Sequence, residues 1–130
     1  MNTLKTIFAL TILMPIHSCN ILENSENEIL RESCDLQDKR KATLFLNPGN
    51  ATLDNSIHLS VIDCKDQLET TNPGNVFVAD SDHGKAKIDG TCVSFKWVSS
   101  NTLKVTYDSL LRTFHKETKI KDVYIIYETK

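Results

Sequence analysis

Asp80-Ser81-Asp82-His83-Gly84 puts two carboxylates and an imidazole on one short stretch of chain. Carboxylate oxygens are ligands for hard divalent cations, and an imidazole adds a nitrogen ligand or a general base that titrates near neutrality. A small metal-dependent hydrolase built on Asp80, Asp82 and His83 is therefore one reading. It needs at least one more ligand from elsewhere, and His58, His115, Asp63 and Asp108 are the residues on hand. A binding surface for a ligand or partner is a second reading. The third asks least of the chain: Asp and Ser cap tight turns through side-chain to backbone hydrogen bonds, and Gly84 supplies the positive φ that closes a hairpin turn.

Other chemistries find little support. No GxSxG element is present, and no serine has a histidine at an offset diagnostic of a nucleophile. The chain has only 4 glycines, each placed at a turn, so nothing cradles phosphate. No CxxC pair exists and the histidines are not spaced with the cysteines, which argues against structural zinc. His58 alternates with Ile57 and Leu59 as a half-exposed strand residue would. His115 sits among Lys116, Glu117 and Lys119 on what reads as a solvated face. No catalytic residue, cofactor or firm metal site is assigned.

The elements that would position these residues lie in one unit preceded by an export signal. Lys5 precedes an apolar run from Ile7 to Ile16 that has the length of a signal core and is too short to span a bilayer. The segment Ile16-His17-Ser18-Cys19 resembles the cleavage box of bacterial lipoproteins, in which the cysteine becomes the lipid-bearing N-terminus. Residues 1–18 are thus expected to be a signal peptide, and residues 19–27 a lipid anchor at Cys19 with a short polar tether. Residues 28–130 are expected to be a single domain. Without Lys5 the remainder carries 14 basic against 17 acidic residues, a net of about −3. That balance, with aromatics spread through the strands, speaks against nucleic acid as a partner.

Four cysteines in an exported chain suggest disulfides. If Cys19 is lipidated, Cys34, Cys64 and Cys92 allow one bridge and one free thiol, or three reduced cysteines buried as small hydrophobes. Without lipidation, three two-bridge connectivities are open.

From Glu28 on, short alternating segments separated by turn chemistry predict an all-β domain. Strands are expected over residues 28–33, 40–46, 56–63, 76–80, 91–99, 102–108, 113–118 and 122–129. Residues 108–111 have room for a single helical turn. The two Asn-Pro-Gly-Asn copies, at 47–50 and 72–75, read as turns. An antiparallel meander of about seven strands, curled into a small sandwich or open barrel, is the expected product. Its core is expected from Leu44, Leu59, Val61, Phe77, Phe95, Trp97, Val105 and Ile125.

Three longer segments carry a family likeness: GNVFVADSDHG (74–84), KWVSSNTLKVTYD (96–108) and FHKETKIKDVYIIYE (114–128). They resemble matching segments of a family of small uncharacterised bacterial exported proteins, many with lipoprotein signals. CDLQDKRKATLF stands where relatives read like "SPDGKY" and a strand, and PGNATLDNSIHLSV where they read like "CGATT" and the next strand. The cysteine of that second segment is missing here. The likeness implies an envelope protein of β architecture and brings no catalytic residues with it.

The expected function is that of an exported, membrane-anchored bacterial envelope lipoprotein acting as a non-enzymatic binding or structural module, facing the periplasm. An envelope immunity or inhibitor protein that blocks a toxin or hydrolase would read the same way. Both imply a membrane reached through the lipid anchor and an envelope protein as partner.

Overall fold

Alternation of apolar and polar residues leaves each strand with one face to bury, and two sheets packed face to face bury both at once. The computed structural model describes residues 26–49 and 52–130. The signal peptide, Cys19 and most of the tether expected from the sequence lie outside the described residues.

Nine strands run in chain order: β1 (Glu28–Cys34), β2 (Arg40–Asn47), β3 (Ser56–Asp63), β4 (Phe77–Asp80), β5 (Val93–Ser99), β6 (Thr102–Tyr107), β7 (Arg112–Lys116), β8 (Lys119–Ile120) and β9 (Val123–Thr129). They form a five-stranded sheet, β1-β2-β3-β4-β7, and a four-stranded sheet, β5-β6-β9-β8. No helix occurs among the described residues, and the sheets do not close into a barrel.

The core lies between the sheets. Ala42, Leu44, Ile57, Leu59, Val61 and Phe77 of the larger sheet meet Val93, Phe95, Trp97, Leu103, Val105 and Ile125 of the smaller one. In β5, Val93, Phe95 and Trp97 point inward while Ser94, Lys96 and Val98 point out, as period two requires. All eight core residues expected from the sequence are buried here. The Trp97 indole N–H also reaches across to donate to the Ser33 carbonyl at 2.9 Å. Phe77, Tyr107 and Tyr127 cluster at the other side, and the Tyr127 hydroxyl donates to the Glu117 carbonyl at 2.6 Å.

All-β character and a two-layer form follow the sequence expectation, but the path of the chain departs from a simple meander. β6 and β9 pair in parallel, with Leu103 beside Ile125 and Val105 beside Tyr127. β7 crosses to the larger sheet to pair with β4, and β8 is a two-residue strand with no sequence signal of its own. Alternation specifies which face a residue takes and is silent about which strand lies alongside. The 108–111 segment is a turn held by Asp108, whose carboxylate accepts the Leu110 N–H at 2.9 Å, and not a helical turn.

A hairpin turn at 35–39 joins β1 to β2. Asp35 is buried, and its carboxylate accepts the backbone N–H groups of Gln37, Lys39 and Arg40. Beside it a disulfide joins Cys34 to Cys64 with 5.6 Å between Cα atoms, while Cys92 is a buried free thiol. That resolves the cysteines among the described residues into one bridge and one small hydrophobe.

Candidate functional site

The stretch 80–84 is not the tip of a hairpin. β4 pairs with β3 and β7, and the chain leaves Asp80 to cross into the other sheet, where Ala86 and then Ile88 pack against the core. The expected hairpin turn is therefore corrected to a crossover. Its local chemistry is still that of a tight turn. Asp82, His83 and Gly84 hold successive positive φ values of 48°, 59° and 84°. Asp and His are among the non-glycine residues that tolerate this region best. The Asp82 N–H donates to the Asp80 carboxylate at 2.9 Å, and the Gly84 N–H to the Ser81 hydroxyl at 2.9 Å.

The three candidate ligands are engaged with cations of the protein itself. Arg112 of β7 donates through Nε and Nη2 to both Asp80 oxygens, at 3.1 and 2.5 Å. This hydrogen-bonded guanidinium holds the Asp80 carboxyl below its ordinary value, against the opposing pull of burial. Asp82 accepts from the Lys85 ammonium at 2.8 Å and is likewise lowered, chiefly by that bond. His83 Nε2 lies 3.5 Å from Arg112 Nη1. Of the further ligands considered, Asp63 pairs with Arg40 at the far end of the sheet, Asp108 caps its own turn, and His115 lies 3.5 Å from Glu117. Among the described residues, the three side chains whose ligand atoms fall within 4.8 Å of one another are those of Cys34, Asp38 and Cys64. Two of those sulfurs are joined to each other and offer no thiolate.

What the larger sheet does build is a groove of about 530 Å³ on its outer face. Ser56 and His58 of β3 and Val78 and Asp80 of β4 form the floor, because odd and even positions of these strands divide between core and exterior. Arg112 and Phe114 of β7 make one wall, and Thr71 and Pro73 the other. Pro48, Gly49, Leu53 and Asp54 close one end. The Arg112 guanidinium lies over the Phe114 ring at 4.9 Å, so the residue that clasps Asp80 also braces the wall. Phe114 and Leu53 are 61% and 66% exposed, and are the large apolar surfaces open to a ligand.

His58 is the groove residue whose environment sequence reasoning missed. It was expected to be half exposed. Instead it is 6% exposed, stacked on Phe45 with ring centroids 5.1 Å apart, and roofed by the chain at 71–74. The Gly74 N–H donates to His58 Nδ1 at 2.9 Å, so the neutral ring carries its proton on Nε2 and donates it to Ser56 Oγ at 2.7 Å. Burial pushes the His58 pKa down to about 4. This imidazole is a donor to Ser56 and has no free lone pair with which to take the serine proton. The signal available in the sequence was the i, i+2 spacing of Ser56 and His58, which puts both on one face of a strand.

The roof over His58 explains the second Asn-Pro-Gly-Asn copy, which is no reverse turn. Asn75 lies along β3, its side-chain amide accepting from Val61 N–H at 2.8 Å and donating to Val61 O at 2.9 Å. Gly74 passes so close to β3 that a Cβ there would stand 2.7 Å from the Phe77 carbonyl oxygen and 2.9 Å from that of Leu59.

A second, shallower hollow of about 290 Å³ lies near the disulfide, between Arg40, Asp63 and Asp122. Within it Arg40 pairs with Asp63, and with Asp122 at 2.9 Å.

No family model, curated protein or solved structure matches this chain.

Proposed function

We propose that this chain is an exported binding module of the bacterial cell envelope, tethered to the membrane through Cys19, and that it works by contact and not by bond chemistry. In this reading the outer groove of the larger sheet holds an extended segment of a partner protein that presents one large apolar side chain. The observation that carries the reading is the division of labour in the groove. Asp80, Arg112, His58 and Ser56 are already bonded to one another or to the backbone, while the Leu53 and Phe114 side chains keep most of their apolar surface exposed. Binding sites of this volume are ordinarily apolar surfaces framed by a few fixed polar groups.

Two further features support it. β7 is an edge strand beside the groove, and an extended peptide can add to such an edge while seating a side chain in the adjacent hollow. The Cys34–Cys64 disulfide fits an oxidising compartment outside the cytoplasm. The family likeness and the lipobox-like Ser18-Cys19 junction support the envelope address.

Titration of isotope-labelled protein with blocked tripeptides tests the site. Acetyl-Ala-Phe-Ala-amide should shift the resonances of Val78, His58 and Phe114, where the all-alanine peptide does not. Phe114→Ala should abolish those shifts while leaving stability within about 0.5 kcal/mol, since the side chain is mostly exposed. Shifts spread over the surface, or unchanged by Phe114→Ala, would end the proposal. The anchor is tested separately, by the intact mass of protein from the membrane fraction of its host: a chain beginning at Cys19 with lipid attached is expected, and an unmodified soluble chain would refute it.

A further inference from the structure

The outward face of the four-stranded sheet carries a charge arrangement that folding alone does not ask for. Lys96 of β5 stands directly opposite Lys104 of β6. Like charges facing each other across a strand pair destabilise a sheet. Lys104 is relieved by Glu128 of β9 at 2.5 Å, but no ion pair among the described residues includes Lys96.

Apolar surface surrounds this pair. Ile126 lies beside Lys104 in register, and Val98, Tyr124 and Ile126 are 47%, 50% and 49% exposed. Lys119 of β8 sits over the Tyr124 ring at 4.9 Å. Three lysines against one glutamate make this face positive on a chain whose formal net charge is −2.

We propose that this face docks the acidic, partly apolar surface of a partner protein, with carboxylates seated between Lys96 and Lys104 and apolar groups covering Val98, Tyr124 and Ile126. The charge complementarity specifies an anionic partner. The apolar groups specify a protein over a bilayer: Val98, Tyr124 and Ile126 belong to strands of one sheet and are each only about half exposed, so a flat surface covers them and a membrane gains little by insertion. This site lies on the opposite layer from the groove and does not depend on it.

Poly-L-glutamate, in low salt, serves as the probe in a resonance titration of the mature protein. Shifts are expected at Lys96, Lys104, Tyr124 and Ile126. Lys96→Glu should weaken the interaction by about tenfold or more. Because the substitution turns a repelling cross-strand pair into an attracting one, its melting temperature should equal or exceed that of the parent. Lys96→Thr, which removes the charge without adding one, should give an intermediate loss of binding. Three results would overturn the inference: shifts scattered over lysines elsewhere, such as Lys39, Lys65 and Lys87; binding unaffected by Lys96→Glu; or the same residues responding instead to vesicles of phosphatidylglycerol and phosphatidylethanolamine, at about one to three, and not to the polypeptide.

Discussion

The backbone N–H of Gly74 donates to Nδ1 of His58 at 2.9 Å, and this one bond decides which nitrogen of a buried imidazole carries the proton. It also pins the 71–74 segment over the outer face of the larger sheet, so the tautomer of a side chain and the shape of a groove are set together. Protonating His58 would add a hydrogen to Nδ1 and put it against the one Gly74 already points there.

Stability is therefore expected to depend on pH through His58. Its pKa is lowered in the fold to about 4 from an ordinary value of 6.5. The unfolded chain takes up a proton below the ordinary value and the folded chain does not, so the contribution is whole above pH 6.5 and is lost as pH falls toward 4. The full loss is at most about 3 kcal/mol. Urea unfolding across that interval should show the fall. In His58→Phe this part of the pH dependence should vanish, while stability at neutral pH drops by about 1 to 3 kcal/mol because the Gly74 N–H loses its acceptor.

Gly74→Ala should cost about 1 to 3 kcal/mol, since the new methyl would meet two backbone carbonyl oxygens that belong to β3 and β4 and cannot swing aside. The same substitution should lift the roof from His58 and bring its titration back toward 6.5, a shift readable from the imidazole resonances. Unchanged stability together with an unchanged His58 titration would contradict the close approach.

Arg112 is expected to set the acid limit of the fold through Asp80. The Asp80 carboxyl is held low by the Arg112 hydrogen bonds, so its contribution is present above the ordinary carboxylate range and lost as pH falls through the lowered value. In Arg112→Ala, Asp80 keeps its burial and loses its main stabiliser. Its carboxyl should titrate at higher pH in carbon-detected spectra, and acid unfolding should begin earlier. The Phe114 ring, no longer braced, should gain mobility in the same spectra.

Reduction of the Cys34–Cys64 bridge opens a loop of 30 residues, for which chain entropy gives on the order of 3 to 4 kcal/mol of lost stability. Thermal melts with and without reductant measure it, and Cys34→Ser with Cys64→Ser should reproduce the reduced value. Cys92 should resist alkylation until the protein unfolds, because it is buried and its thiol pKa is pushed up by that burial.

The sequence made the layers legible and left their order open. Phe95 and Trp97, or Leu59 and Val61, sit at period two, and that alone assigns them to the interior. Nothing at that period says that β9 lies beside β6, or that Arg112 will meet Asp80 across 32 positions of chain. The Asp80–Gly84 turn chemistry was readable because Asx turns and positive φ are local properties. His58 was misjudged because its burial comes from the 71–74 segment, which looked like an ordinary turn and instead runs along β3. The groove was invisible for the same reason: its floor and both walls come from strands and loops brought together only by the fold.

The position of β9 bears on when this protein can fold at all. Its residues 123–129 occupy the interior of the smaller sheet, between β6 and β8, so β6 has no neighbour on one side until that segment arrives. Until it does, Leu103 and Val105 lack much of the cover that Val123 and Ile125 give them. The architecture itself makes completion of this layer a late event, tied to contacts between segments about twenty positions apart in the chain.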